Sequence, residues 1–228
     1  MTASIGLDVG QRRDPTAVCV AEGEWREVEG RTESHFLVRH LERLPLGTPY
    51  PEVTDRIARI TDQVRARTGD RPTVYVDSTG VGGPVVDLLR ERVRSGEVVA
   101  VWFMYGDQRT ESWEGDFLRV SLGKAYMVSR LQVLLGTGRL HLPKTREAGA
   151  LTDELLNYEL RVDQSGHETF GAFRTGTHDD LACALGLAIQ DESPDWRRHC
   201  TQRRSDSLTP AAWRPQREPR KSFREPVR

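Results

Sequence analysis

TVYVDSTGVGGPVVDLL, residues 73–89, passes from an apolar run into an acid, then a glycine-rich turn, then a helical pattern. Thr73–Val76 reads as a short buried strand with Asp77 at its end. Gly80, Gly82 and Gly83 supply the turn, and Pro84 fits the first turn of the helix that follows. Strand, tight turn and helix in this order form the repeating unit of an α/β sheet. Working outward, SIGLDVG (4–10), TAVCVAEGE (16–24) and SHFLVRHLERLPL (34–46) read as three successive strands. PEVTDRIARITDQVRART (51–68) carries Val53, Ile57, Ile60 and Val64 at helical spacing, with Pro51 at its start and Gly69 at its end. Downstream, EVVAVWFMYG (97–106) reads as a strand, LGKAYMVSRLQVLLGTG (122–138) as an amphipathic helix and RLHLP (139–143) as a short extended piece. TREAGALTDELLNYEL (145–160) reads as helical, HETFGAF (167–173) as half of a hairpin, and RTGTHDDLACALGLAIQ (174–190) supplies the last helix. Three strands in a row followed by helix–strand alternation predict a mixed α/β sheet flanked by helices.

The chain has 228 residues, enough for one large domain, with 37% hydrophobic and 29% charged residues, the balance of a chain with a real core and a charged surface. No apolar run reaches the length of a membrane span, and the N-terminus lacks the pattern of a signal peptide. Three widely spaced cysteines (Cys19, Cys183 and Cys200) form no CxxC pair, so neither a disulfide framework nor a zinc knuckle is expected, and a reducing compartment is. The net charge of −1 hides an asymmetry: residues 194–228 hold ten Lys/Arg against four Asp/Glu, leaving 23 against 30 in the rest. The expected organisation is a folded domain over 1–193 and a basic, Arg/Pro-rich tail over 194–228 without apolar periodicity. Its interleaved Trp196, Trp213 and Phe223 suit contact with a nucleic acid or a partner as well as a solvated tail.

Acids stand at three element ends. Asp8 ends the first strand, Asp77 ends the strand in 73–77, and Asp179 and Asp180 open the last helix. Acids at strand ends face the edge of an α/β sheet where sites are built. Carboxylates brought together raise one another's pKa unless a positive charge joins them. Hard oxygen donors without paired Cys or His suit Mg2+ or Mn2+. Two such ions roughly 3.5–4 Å apart activate a water and stabilise the leaving oxygen of a phosphodiester. Each acid also has a local reading. Asp8 can end its strand in a turn, Asp77 can form an Asx-turn before Ser78-Thr79-Gly80, and Thr177 with Asp180 can form a capping box. The loop GVGG lacks the Lys-Ser/Thr of a phosphate-binding loop.

Taken together, GLDVGQRRDPTAVCVAE (6–22), VYVDSTGVGGPVVDLL (74–89), GKAYMVSRLQVLLGTGRLHLP (123–143) and GTHDDLACALGLAI (176–189) resemble the nuclease domain of tailed-phage terminase large subunits. That domain has a ribonuclease H-like fold, shared more distantly with Holliday-junction resolvases. The resemblance spans roughly residues 3–192 and leaves the tail unmatched. It implies that Asp8 and Asp77 are the first and second metal-binding acids, and that at least one of Asp179 and Asp180 completes the cluster. Adjacent helical residues point about 100° apart, so one of the pair faces the metals, with Asp180 favoured and Asp179 kept in the site. The implied activity is endonucleolytic hydrolysis of double-stranded DNA with two Mg2+ or Mn2+ ions, in phage DNA packaging or processing in the host cytoplasm. Since no Walker A pattern occurs, a separate packaging ATPase or other terminase or portal component is an expected partner. Junction resolution and a non-catalytic DNA-binding or assembly role are the alternatives on the same fold. An actin-like ATPase would need two such domains. His178 reads as a helix-start residue or an outer contact of the site, Lys124 as a phosphate contact or a solvated lysine, and Asp14 as a turn former. Arg12 and Arg13 are placed to meet a DNA backbone.

Overall fold

The computed structural model describes residues 2–10, 14–80, 82–162, 168–171 and 178–190. Arg12, Arg13, Thr177 and the tail 194–228 lie outside the described residues. Strand β1 (Thr2–Asp8) is central, antiparallel to β2 (Ala17–Val28) and parallel to β4 (Thr73–Asp77). Beyond β2 lie β3 (Arg31–Arg43) and the two-residue β8 (Leu140–His141). Beyond β4 lie β5 (Glu97–Met104), β7 (Phe117–Gly123) and β6 (Arg109–Glu114). The eight strands form one mixed sheet in the order β6-β7-β5-β4-β1-β2-β3-β8. A separate two-stranded ribbon pairs β9 (Glu159–Val162) with β10 (Glu168–Gly171).

Strand alternation divides the central residues between two layers. Ile5, Leu7, Val18, Val20, Val74 and Val76 point to one face, against Val53, Ile57 and Ile60 of α1 (Tyr50–Thr68) and Val85, Val86 and Leu89 of α2 (Gly82–Arg92). The other face receives α5 (Asp180–Ala188), all nine of whose residues are buried. It is flanked by α3 (Lys124–Gly136) and α4 (Arg146–Leu156). Gly6 makes the close seat on β1 possible. A Cβ there would stand 1.9 Å from the Ala184 carbonyl oxygen and 2.6 Å from the Ala188 nitrogen.

The mixed sheet and the order of its strands and helices agree with the sequence reading, and four local features differ. β2 and β3 run on into a long hairpin whose turn, Glu29-Gly30, has φ of 50° and 76°, matching the twist of paired strands. The segment after residue 106 forms the β6–β7 hairpin, so the helix expected from 122 begins only at Lys124. The helix expected over 145–160 ends at Leu156, where the Asn157 N–H closes on the Asp153 and Glu154 carbonyls, and Glu159 enters β9. The last helix starts at Asp180 with Asp179 in the N-cap position, and the Asp179 side chain makes no capping bond.

At the β3–β8 edge, His35 Nδ1 and His141 Nε2 lie 3.0 Å apart and their rings stack. Burial, then the Arg26 and His141 charges, lower the His35 pKa. A histidine lowered in the folded state binds fewer protons than in the unfolded chain, so its stability contribution is present above its unfolded pKa of about 6.5 and fades as pH falls through the folded value. The His35 contribution to the melting temperature is therefore expected to drop on acidification below about pH 6.5, against the opposite contribution of any carboxyl whose pKa is raised. His35→Gln should flatten that drop in a pH series of thermal melts, and an unchanged slope would remove His35 as its source.

Candidate metal centre

The register of β1 and β4 builds the centre. Leu7 pairs with Val76, so Asp8 and Asp77 follow side by side at the carboxyl ends of neighbouring parallel strands. Such strands lie about 4.8 Å apart. Gly6 pairs with Tyr75, so both acids point to the same face as Gly6, the face that carries α5. Because Gly6 lies against Ala184 and Ala188, the start of α5 comes level with Asp8 and brings Asp179 and Asp180 to it.

The electrostatics record the meeting. Burial raises the Asp8 pKa well above the carboxylate range, and the charges of Asp77, Asp179 and Asp180, in that order, raise it further; Lys124 opposes them. Burial also raises the Asp77 pKa, against a hydrogen bond from the Thr79 N–H and the Lys124 charge. That Thr79 bond, 2.8 Å to Asp77 Oδ1, is an Asx-turn, so the local reading of Asp77 and its place in the cluster are both present. The turn is pinned to β5. Ser78 donates through N–H and Oγ to the Val101 carbonyl, each at 2.8 Å, and the Phe103 N–H donates to Thr79 Oγ1 at 3.0 Å.

Asp180 has a different environment. It is buried, and Arg43 grips both its oxygens, with Nε to Oδ2 at 2.7 Å and Nη2 to Oδ1 at 3.1 Å. The Arg43 guanidinium also pairs with Glu154 of α4. Glu154 Oε2 in turn accepts the Ala182 N–H at 2.8 Å and so caps the first turn of α5 from another helix. The far end of α5 is held likewise, by Arg130 Nε donating to the Ile189 carbonyl at 3.0 Å.

Lys124 begins α3 half-buried and is the positive charge felt by both Asp8 and Asp77. His178 and Asp14 meet at the exposed rim, Nδ1 to Oδ1 3.6 Å. Tyr158 and Cys183 are further neighbours that the sequence reading missed. Burial and the nearby Asp8 and Asp179 charges push up both their pKa values, so hydroxyl and thiol stay protonated. Neither has a local sequence signal, since each lies in an ordinary apolar pattern.

Among the described residues, no three His, Cys, Asp or Glu side chains are drawn tightly enough to form a finished metal cage. The donor chemistry nonetheless fits a hard divalent cation. The converging groups are carboxylates, burial and then their mutual repulsion raise the Asp8 pKa, and the nearby Cys183 thiol is held protonated.

No protein-family profile and no curated protein matches the sequence. Solved structures do. The large terminase nuclease from thermophilic phage G20c superposes with a TM-score of 0.56 at 18% identity, over 84% of this chain and 83% of that one. The fold is that of a terminase nuclease domain. The same phage nuclease with bound magnesium gives 0.54 at 22% identity, over 82% of this chain and 79% of that one. The human cytomegalovirus terminase nuclease domain gives 0.54 at 15% identity, over 82% and 81%. The terminase-nuclease fold thus accounts for the mixed eight-stranded sheet and its flanking helices, as the resemblance implied. Among the described residues no helix is long and apolar enough to cross a membrane.

Proposed function

We propose that this protein is a metal-dependent endonuclease that hydrolyses the phosphodiester bonds of double-stranded DNA during phage DNA packaging or processing. The observation that carries the reading is Asp8 and Asp77 directly following the last register pair of neighbouring parallel strands, with the acidic start of α5 near them. The magnesium-bound form of the similar phage nuclease supports it. Asp8, Asp77 and Asp179 are the proposed ligands; the sequence favoured Asp180, but both Asp180 oxygens are held by Arg43, which leaves Asp179 as the acid of the pair proposed for the metals. Two Mg2+ or Mn2+ ions bound there would supply the Lewis acidity that activates water and stabilises the leaving 3′-oxygen. The protein's own part is placement. Asp8 would hold metal from the centre of the acidic cluster, and the Thr79 N–H fixes one Asp77 oxygen and so orients the other. Lys124 offers its ammonium to a phosphate oxygen from the mouth of the site. The acidic body favours weak, salt-sensitive DNA binding, which suits delivery by a separate packaging ATPase or another terminase or portal component in the host cytoplasm.

The test is cleavage of supercoiled plasmid by the purified chain with Mn2+, Mg2+ or EDTA. Metal-dependent nicking and linearisation are expected. Folded protein that binds Mn2+ but leaves plasmid intact at low salt and high concentration would overturn a self-sufficient nuclease.

A further inference from the structure

Arg43 and Glu154 lie far in sequence from every acid of the proposed centre, yet both end on the first turn of α5. We propose that they are positioning residues, and that Asp180 is the tether through which they hold Asp179 to the metal-binding edge. The inference rests on the nuclease reading above. Three observations carry it. First, the fork of Arg43 occupies both Asp180 oxygens, at 2.7 and 3.1 Å, and the Asp180 side chain is only 3% exposed. Second, one guanidinium serves two buried carboxylates, since it also pairs with Glu154, itself only 6% exposed. Third, Glu154 uses its other oxygen to bond the Ala182 N–H at 2.8 Å and so caps the first turn of α5 from a neighbouring helix.

The first turn of α5 is therefore fixed from outside. The end of β3 fixes its first residue, α4 fixes its third, and Asp179 is carried along by the same backbone. Asp179 stands in the N-cap position, before the helical turn begins, so the Arg43 fork at position 180 leaves its carboxylate uncommitted to Arg43, and its charge is one of those felt by Asp8. Lysine cannot replace the fork, because it offers one point charge where Arg43 makes two parallel bonds. Groups that orient metal ligands typically change metal affinity about 10–100-fold when altered.

Mn2+ titration calorimetry on the full chain, with thermal melts and plasmid cleavage in parallel, tests the assignment on Asp8→Asn, Asp179→Asn, Asp180→Asn, Arg43→Lys and Glu154→Gln. Asp8→Asn and Asp179→Asn should lose Mn2+ binding. Asp180→Asn, which keeps an oxygen for Arg43, should weaken binding by less than about tenfold, and Arg43→Lys should weaken it about tenfold or more. Glu154→Gln should fall between these, because it keeps one oxygen for Ala182. Asp180→Asn is nearly isosteric and reads the tether even where Arg43→Lys folds poorly. Loss of Mn2+ binding in Asp180→Asn as complete as in Asp8→Asn would overturn the assignment, as would an Arg43→Lys affinity within twofold of the wild type. Unaltered Mn2+ binding by Asp8→Asn would instead overturn the nuclease centre itself, and this inference with it.

Discussion

Asp8→Asn is expected to raise the melting temperature of the metal-free protein while abolishing its metal-dependent cleavage. The two effects share one cause. Asp8 sits where Asp77, Asp179 and Asp180 all repel its charge and Lys124 alone among the named charges relieves it. Two unit charges about 5 Å apart repel by about 3 kcal/mol at an effective dielectric of about 20. Partial protonation and solvent screening reduce that, so a gain of about 1 kcal/mol is reasonable, or about 2–4 °C for a chain of this size. Asparagine keeps the shape and removes the charge. It also removes a carboxylate that would hold metal, and losing about 4 kcal/mol of transition-state stabilisation corresponds to about a 10³-fold slower reaction. Thermal melts in EDTA and in Mn2+ separate the effects. Mn2+ should raise the wild-type melting temperature and leave Asp8→Asn unmoved. Asp77→Asn should follow the same pattern while keeping its Thr79 hydrogen bond. A destabilised, still active Asp8→Asn protein would show that Asp8 is an ordinary strand-end residue.

The legible part of this molecule is the part in which neighbours in sequence are neighbours in space. TVYVDSTGVGG displays its strand, its acid and its turn in order, and the structure keeps that order. SIGLDVG displays Asp8 at a strand end for the same reason. β6 was illegible because five of its six residues are exposed, so no alternation of apolar and polar side chains marks it. The different surroundings of Asp179 and Asp180 were illegible for another reason. The residue that distinguishes them, Arg43, lies 137 positions from Asp180 and is one of many arginines in the chain. Its sequence context, LERLPL, looks like the solvated end of a strand. Glu154, likewise, sits in a helical pattern where a glutamate is ordinarily a surface residue, and only the packing of α4 against α5 turns it into a cap. The acids stand in local patterns that a sequence displays; the tasks proposed for them rest on charges delivered from elsewhere in the fold.

Gly6→Ala should be among the most disruptive single-methyl changes available in this protein. The added carbon would meet the Ala184 carbonyl oxygen at 1.9 Å, the Ala188 nitrogen at 2.6 Å and Leu187 Cβ at 2.9 Å. Two of the three are backbone atoms, which no rotamer change can move aside. Relief requires α5 to lift from β1, and α5 is held at its start by Asp180 and Ala182 and at its end by Ile189. Overpacking of a rigid site costs about 3 kcal/mol, equivalent to a melting temperature lower by about 6–12 °C. Gly186→Ala is the matched comparison. Its added carbon meets only the buried Met127 side chain, Sδ at 2.3 Å and Cγ at 2.5 Å, and an unbranched thioether can repack by changing rotamer where a helix backbone cannot. Gly6→Ala should therefore lose several times more stability than Gly186→Ala. It should also weaken Mn2+ binding in whatever fraction stays folded, because lifting α5 carries Asp179 away from Asp8. Equal melting temperatures for the two variants would mean that α5 does not rest on β1 at Gly6, and the third acid would then need another route to the site.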